Sequence, residues 1–498
     1  MPVYPFLLAW TPVLLLAVLA VWFRRSALEL AVSGYISVAG LTAWAFQTPW
    51  PVIALATIDG LLTTLPLLAV VFLGILFSQL LVVSGCLARL VTWLLSGLSQ
   101  PLAQQVLITL GLANFFEGAS IIAEPMVAPM LIHTGVRPMG AAALSIIGYA
   151  GLMSIEMAGI IITVLAVVTG LPYTELGVAS AWLSVPATLL MALCLPFFLP
   201  EPRRAWRRLP YLLGCALLVS LATLAAALWL GIAISGMVGG LILVGLLLWR
   251  GEGRPALPDR RLLADLAPFA VILLPLLLVN TVPWLQELTR RRLTFTVAVI
   301  ASHPITFTPF FSAYLYLLAA LWLAIRLLRV TPAQWRQIWT AGLSKGWRAL
   351  AAMGLFGAMG QVLAYSGYPA DFGPMNPEAN IPIVLATGLK HLTGGCYPLF
   401  VPLLGWVGTF LTGYGVASLM LFGDLQVQAA PLLGVSATVL AAGLTVGSAI
   451  GSISSPFKIA IATPMCGAVG QEGAILRLTI PLGILASLIL GLIVWAAT

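Results

Sequence analysis

The sequence predicts an all-α polytopic membrane protein built around interrupted helices, and three observations carry that prediction. The first is composition: of 498 residues 61% are apolar and only 8% charged, with a mean hydropathy of +1.09. Soluble domains carry roughly a quarter charged residues, so a soluble fold of this length would have to coat its surface with apolar side chains. The second is segmentation into apolar runs of span length; at about 20 residues per crossing the chain holds roughly a dozen. That arithmetic leaves no room for a sizeable soluble catalytic domain. The third is a set of polar and glycine-bearing gaps inside runs that ordinary spans keep continuous.

Taken in order, apolar runs lie near residues 5–23, 28–46 and 61–84. Arg24 and Arg25 follow the first run instead of preceding it. It therefore reads as a span with its N-terminus outside and not as a cleavable signal. Runs near 103–133, 139–170, 177–199, 210–231, 233–249 and 266–284 come next. Those near 308–328, 347–365, 381–411, 416–450 and 456–497 complete the chain, and the last few must be broken or doubled. The expected organisation has N-terminal transmembrane helices in 1–50 and a first repeat in 51–200, with a hairpin near 103–133 and a broken helix near 139–170. Connecting helices and basic loops fill 201–300. A second repeat occupies 301–498, with a hairpin near 381–429 and a broken helix near 431–466.

The net charge of +8 does not indicate nucleic acid, because the basic residues sit in short loops between apolar runs. Arg24-Arg25, Arg89, Arg203 to Arg208, Arg250 to Arg261 and Arg326 to Arg348 follow the positive-inside pattern of cytoplasmic loops. Arg290-Arg291-Arg292 fits poorly, since one crossing after Arg261 places it outside. The five cysteines form no CxxC pair and read as small buried hydrophobes, without a disulfide or metal framework. Most of the 16 tryptophans read as interfacial anchors.

Three interruptions stand out. The run 103–133 is broken by Asn114 to Ser120, with Glu124-Pro125 just beyond. The run 397–429 is broken by Thr412-Gly413-Tyr414-Gly415. The third gap runs from Gly451 to Pro456, where Ser455 is a natural N-cap and Pro456 belongs at the first helical position. A helix restarting at membrane depth exposes orphan N–H groups, tolerable only beside protein or a water-filled cavity. Self-comparison adds a repeat. Gly135-Val136, Ala141 to Ser145 and Gly151 recur in order as Gly434-Val435, Ala441 to Thr445 and Gly451, about 300 positions later. In that register Met153 to Glu156 partners Ser452 to Ser455, which predicts a fourth break, and the two glycine-bearing gaps become tips of re-entrant hairpins. Two such repeats are the usual build of a secondary transporter. Gly447 and Gly451 form a GxxxG step suited to tight helix packing.

An ionised carboxylate at membrane depth costs several kcal/mol by insertion scales, so each needs a reason. Glu117, Glu124 and Glu156 all fall inside apolar runs beside breaks. They either cap helices or stay neutral as structural groups, or at least one carries a proton as the site changes exposure. Glu117 is the first choice and Glu156 the second. Asp59 reads as a helix-start acid at the edge of a span, and Asp424 as part of a polar patch with Gln426 and Gln428 facing an aqueous exit. Converging helix starts bind an anion through their dipoles. Asn114, Ser120, Ser154, Thr412, Ser418, Ser452, Ser454 and Ser455 supply polar side chains there, while Gly118 and Gly413 allow close backbone approach. Lys458, embedded in an apolar run, either pairs with substrate or snorkels or pairs with a buried acid. His133, His303 and His391 read as interfacial or satisfied histidines. No zinc-ligand spacing, phosphate-cradling loop, nucleophile elbow or dinucleotide fingerprint occurs, so neither a metal nor a cofactor is expected.

At these breaks the sequence resembles the L-lactate permease family, whose members carry lactate and glycolate, generally with protons. Where the family reads LEGAAGFGAP, this chain has Phe116-Glu117-Gly118-Ala119-Ser120-Ile121-Ile122-Ala123-Glu124-Pro125. The stretch from Pro402 through Gly405-Trp406 and Gly408 to Thr412-Gly413 is similar to PFLGWLGVFLTG, and Leu421-Phe422 with Leu425-Gln426 continues it. Ser455-Pro456, Ile459 to Ala462 and Gly470-Gln471-Glu472 resemble ISPQSIAIA…GKE. The departures fall at the site. After Gly413 only Ser418 survives of a polar SDTSSN, and Ser452 replaces the lysine before ISP. Lys458 takes a position normally polar, and Glu124 and Glu156 stand where the family has small residues.

The resemblance implies a scaffold carrying a transport domain with two hairpins, often as homodimers working by an elevator mechanism. The expected function is a secondary transporter of the bacterial inner membrane, moving a small monocarboxylate with protons and catalysing no chemical reaction. A different organic or inorganic anion in the same fold is the alternative. Less favoured is an intramembrane enzyme on a lipid-linked substrate, for which the nucleophile or metal set is missing. Na⁺ coupling stays open, because backbone carbonyls at the same breaks can hold Na⁺.

Overall fold

The computed structural model describes residues 3–23, 25–251 and 257–498. Arg24 and part of the Arg250 to Arg261 loop, both expected on the cytoplasmic side, lie outside the described residues. Among the described residues eleven helices are long and apolar enough to cross a membrane, or twelve if one bent pair counts as a span. The chain is a multi-pass helical membrane protein.

Helices α1 (Val3–Val21) and α2 (Ala27–Trp44) form the N-terminal pair. A capping box starts α2: Glu29 N–H donates to Ser26 Oγ and Ser26 N–H to Glu29 Oε2, at 3.4 and 2.8 Å. Helix α3 (Trp50–Val83) begins far earlier than its apolar run suggests. Its 34 residues span about 51 Å, well beyond the roughly 30 Å of a hydrocarbon core. Asp59 therefore lies inside a helix, fully buried, and not at a helix start. The hydropathy reading missed this because Thr57, Asp59 and Gly60 dilute the signal just before Leu61. After α4 (Cys86–Leu95), α5 (Pro101–Val106) runs through a π-helical turn into α6 (Ala113–Gly118). The chain breaks over 119–123 and restarts as α7 (Glu124–His133). The expected break began at Asn114; Asn114 to Glu117 instead finish a helix.

The next helix, α8 (Pro138–Ala150), gives way to two 3-10 turns before α9 (Ile160–Thr169), a bend of 59°. There follow α10 (Tyr173–Cys194), α11 (Pro202–Arg207), α12 (Leu209–Trp229), α13 (Ile232–Arg250), α14 (Arg260–Thr281) and α15 (Pro283–Glu287). The arginines 290–292 follow the far end of α14 from Arg260, with Arg290 over the rings of Tyr173 and Phe311 at 5.1 and 4.6 Å. A short antiparallel hairpin, β1 (Phe295–Val297) on β2 (Ile305–Phe307), is an element that an all-α expectation did not contain. Its stacked Phe295 and Phe307 explain the pairing.

Helix α16 (Ala313–Leu327) leads to α17 (Pro332–Ala364), which packs along α3. Helices α18 (Ile381–Thr393) and α19 (Tyr397–Thr412) are joined by a 3-10 turn that leaves Cys396 exposed, unlike the other four cysteines. Gly413 and Tyr414 separate α19 from α20 (Gly415–Leu433). After α21 (Ala437–Gly451) a 3-10 turn over Ser452–Ser454 precedes α22 (Pro456–Cys466), and α23 (Glu472–Ala497) closes the chain. A smaller apolar core joins α1, α2, the start of α3 and the end of α17. A larger one holds most of the remaining helices.

Candidate functional site

Four backbone breaks meet at one place. Ser455 Oγ donates to the Gly413 carbonyl at 3.1 Å, joining the two second-half breaks. Ser452 Oγ donates to Met153 Sδ at 3.1 Å, joining the second half to the first. The break at 119–123 reaches α3, where Ser78 Oγ lies 3.4 Å from the Ile122 carbonyl. Lys458 ties the whole together.

Each break has its own local cause. Helix α19 ends because Gly413 takes φ +87, the left-handed cap that glycine adopts without a Cβ penalty. Ser455 caps α22, accepting from Lys458 N–H at 3.3 Å, with Pro456 in the first turn. In the first half, Glu117 Oε1 accepts the Ala123 N–H at 2.8 Å, so the chain wraps around its own carboxylate where α7 starts. Ser120 within that loop has φ +62. In the bend between α8 and α9, Met157 and Ala158 have φ of +53 and +50.

The charged centre is a hydrogen-bonded line. Lys458 Nζ donates to Tyr149 Oη at 2.7 Å, and Tyr149 Oη donates to Glu124 Oε1 at 2.5 Å. Lys458 Nζ is 3.7 Å from Glu124 Oε1 and also reaches Met153 Sδ at 3.2 Å. Glu156 is 0% exposed and neither of its oxygens has a hydrogen-bond partner. Glu124 Oε2 and Ser120 Oγ are likewise buried without partners. Groups of this kind are costly to bury unless something pairs with them.

The other residues singled out from sequence divide plainly. Asn114 donates to the Leu110 and Gly148 carbonyls at 2.6 and 3.1 Å, tying α6 to α8, and its Oδ1 is left over. Ser154 pairs with Ser184 of α10 at 2.7 Å, and Thr412 donates back to Gly408 at 2.7 Å. Ser418 donates to Gly405 and Ser454 to Thr479, at 3.0 and 2.9 Å, both across helix contacts. Gly118 brings α6 against the backbone of α13, where a Cβ would collide with Met237. These side chains face protein partners, as Ser452 and Ser455 also do, while Glu117, Glu124 and Lys458 line a cavity at the meeting point, with Glu156 and Ser120 buried beside it. The polar patch expected around Asp424 does not hold: Gln428 bonds Asp424 at 3.3 Å, but Gln426 is buried and bonded to Tyr397 at 3.0 Å. His133 and His391 are exposed at helix ends.

Two contacts were not foreseen. Tyr149 lies seven residues before Glu156 as the lone phenol in an otherwise small and aliphatic stretch, and that isolated phenol was the available signal. His303, in the loop of the β-hairpin, sits 2.8 Å from Asp59 with Nδ1 and 3.3 Å from the Val167 carbonyl with Nε2. No local pattern links it to Asp59.

A multi-pass helical membrane protein whose broken helices converge on buried acids and one lysine is the class this geometry defines. Sequence comparison narrows it. The L-lactate permease family profile matches residues 5–250 and 262–498, and the chain belongs to that family. It is 38% identical over 146 residues to "L-lactate permease" of Escherichia coli K12, covering 28% of this chain and 26% of that protein. To "Glycolate permease GlcA" of the same strain it is 36% identical over 136 residues, 27% of this chain and 23% of that one. An "L-lactate permease" of Streptococcus iniae is 24% identical over 345 residues, 65% of this chain and 69% of the relative. The stronger alignments thus span only about a quarter of the relatives' length.

Proposed function

We propose that the chain is a secondary transporter carrying a small monocarboxylate of the lactate or glycolate type, together with protons, across the bacterial inner membrane. The observation that carries this reading is one ammonium, Lys458, beside Tyr149 and Glu124, with Glu117 and Glu156 buried close by. A substrate carboxylate arriving there is a fourth acid for a single cation. Leaving a buried charge unpaired costs about 3–5 kcal/mol, so substrate enters with protons held on the protein's own acids. Lys458 exchanges Glu124 for the substrate carboxylate, Glu124 takes a proton, and Glu117 and Glu156 keep theirs until the site opens on the other side. Ser120, Ser452 and Ser455 lie in the breaks around it, with Ser452 and Ser455 bonded to Met153 and Gly413. The substrate sits between the Glu117 to Ser120 and Thr412 to Ser418 tips and the two broken helices.

Element order supports two repeats. A long helix, a short helix, a hairpin, a broken helix and a closing span occur as α3 to α10 and again as α17 to α23. In this reading the hairpins and broken helices form the transport domain, which slides against a scaffold containing α3 and α17, in a homodimer. Four backbone breaks on one pocket suit alternating access, because each can open without unfolding a span.

Labelled L-lactate and glycolate are offered to proteoliposomes with and without an inward acid gradient. Accumulation above equilibrium with the gradient, and equilibration without it, is the expected result. Accumulation of neither acid, with Glu117→Gln equally silent, would end the reading.

A further inference from the structure

Resting on the monocarboxylate reading above, we propose that the acid this chain prefers carries an apolar tail larger than lactate's methyl group. The tail would occupy a cavity between α3, α17 and α22. That cavity measures about 430 Å³ and opens where the helix breaks face the two long helices. Glu117, Glu124 and Lys458 stand on its wall and form its charged part. Most of the remaining lining is apolar: Val71 and Ile75 from α3, Met353 from α17, Met153 from the bend after α8, and Phe457 and Ile461 from α22.

Size and chemistry point the same way. Cavities of roughly 300–1,000 Å³ hold drug-sized ligands, so a lactate anchored at Lys458 leaves most of this volume empty. Water fills the apolar part of such a space poorly, because a buried water needs two to four polar partners and, away from the charged end, the wall offers chiefly Ser78 and Gln79. A branched aliphatic or aromatic tail fills it and gains the transfer energy of each buried carbon. Four of the lining residues are methionines, Met153, Met157, Met353 and Met465. Their unbranched, polarisable side chains repack around different shapes, so the preference extends over a class of tails and not one acid. A lipid acyl chain would suit the wall equally, but its neutral body offers nothing to Lys458, and the carboxylate is what separates the two occupants.

The test uses the full chain purified in detergent and reads affinity from the ligand-dependent rise in melting temperature. The probes are L-lactate, 2-hydroxybutanoate, 4-methyl-2-hydroxypentanoate and the methyl ester of the last. Affinity is expected to rise about fourfold for each carbon buried, leaving the branched acid at least about tenfold tighter than lactate. The ester should bind no better than lactate, and Val71→Phe, which narrows the wall, should flatten the series. The wild-type series decides even where that variant fails to fold. If lactate binds and longer acids do no better, the inference falls while the transporter reading stands. An ester as tight as its acid also overturns it, since the cavity then takes any apolar group. If no acid of any length binds, the monocarboxylate reading falls and takes this inference with it.

Discussion

In the first half of the chain the breaks hold residues other than glycine in the left-handed region, with Gly159 alone at φ +74 suited to it. Ser120, Met157 and Ala158 have φ of +62, +53 and +50. In the second half Gly413 takes the left-handed position at φ +87, and Ser455 with Pro456 starts the next helix by ordinary capping. The first half also carries all three buried glutamates, whereas the second carries the lysine. A left-handed backbone costs roughly 1–2 kcal/mol for a residue other than glycine and persists only where the surroundings enforce it. The difference separates a strained, proton-bearing half from a relaxed half that places the cation. On this view the first half changes most during transport.

The sharpest way to break that comparison is Lys458→Met. It leaves Glu124 with Tyr149 alone and removes the anchor for substrate. Uptake should fall to background and unfolding stability by about 3 kcal/mol or more, read by flux and by denaturation in detergent. Uptake within a factor of about two of wild type would detach the cation from function. Next is Glu117→Gln, which keeps an acceptor for the Ala123 N–H but cannot release a proton. Accumulation driven by a pH gradient should drop by about tenfold or more, while exchange of labelled for unlabelled acid at equal pH continues. Loss of both together would make Glu117 a structural cap. A smaller effect contrasts the two backbones directly. Ala158→Gly should stabilise by about 1 kcal/mol and Gly413→Ala destabilise by about the same, measured as shifts in melting midpoint. Equal signs for the two would erase the distinction.

The smallest effect lies outside the breaks, at His303. Its imidazole faces Asp59 on α3, the Val167 carbonyl on α9 and the Tyr365 ring after α17. The Asp59 carboxylate beside it outweighs burial and holds its pKa above the ordinary 6.5. The folded protein thus binds the proton more tightly than the unfolded chain does. The pair's contribution is fully present below pH 6.5 and fades as pH rises through the folded value. Melting temperature between slightly acid and alkaline buffer should decline in wild type, and Asp59→Asn should flatten that decline. An unchanged slope in the variant would remove His303 as its source.

Hydropathy and cap chemistry are short-range properties, so the sequence by itself determined that the chain crosses a membrane many times. It also located the gaps after Thr412 and at Ser452 to Ser455, because glycine, proline and N-cap serine act on their own backbone, and the internal repeat carried that pattern over to the gap near Glu156. It marked Glu117, Glu124, Glu156 and Lys458, since charge in an oily run is conspicuous wherever it occurs. Only the tertiary structure decided who meets whom. Tyr149 stands between Lys458 and Glu124, His303 reaches Asp59 from a β-hairpin, and Ser154, Ser418 and Ser454 turn toward neighbouring helices. Those outcomes depend on which helix faces pack together and on the directions that packing leaves each side chain, and neither is encoded in the few residues around it.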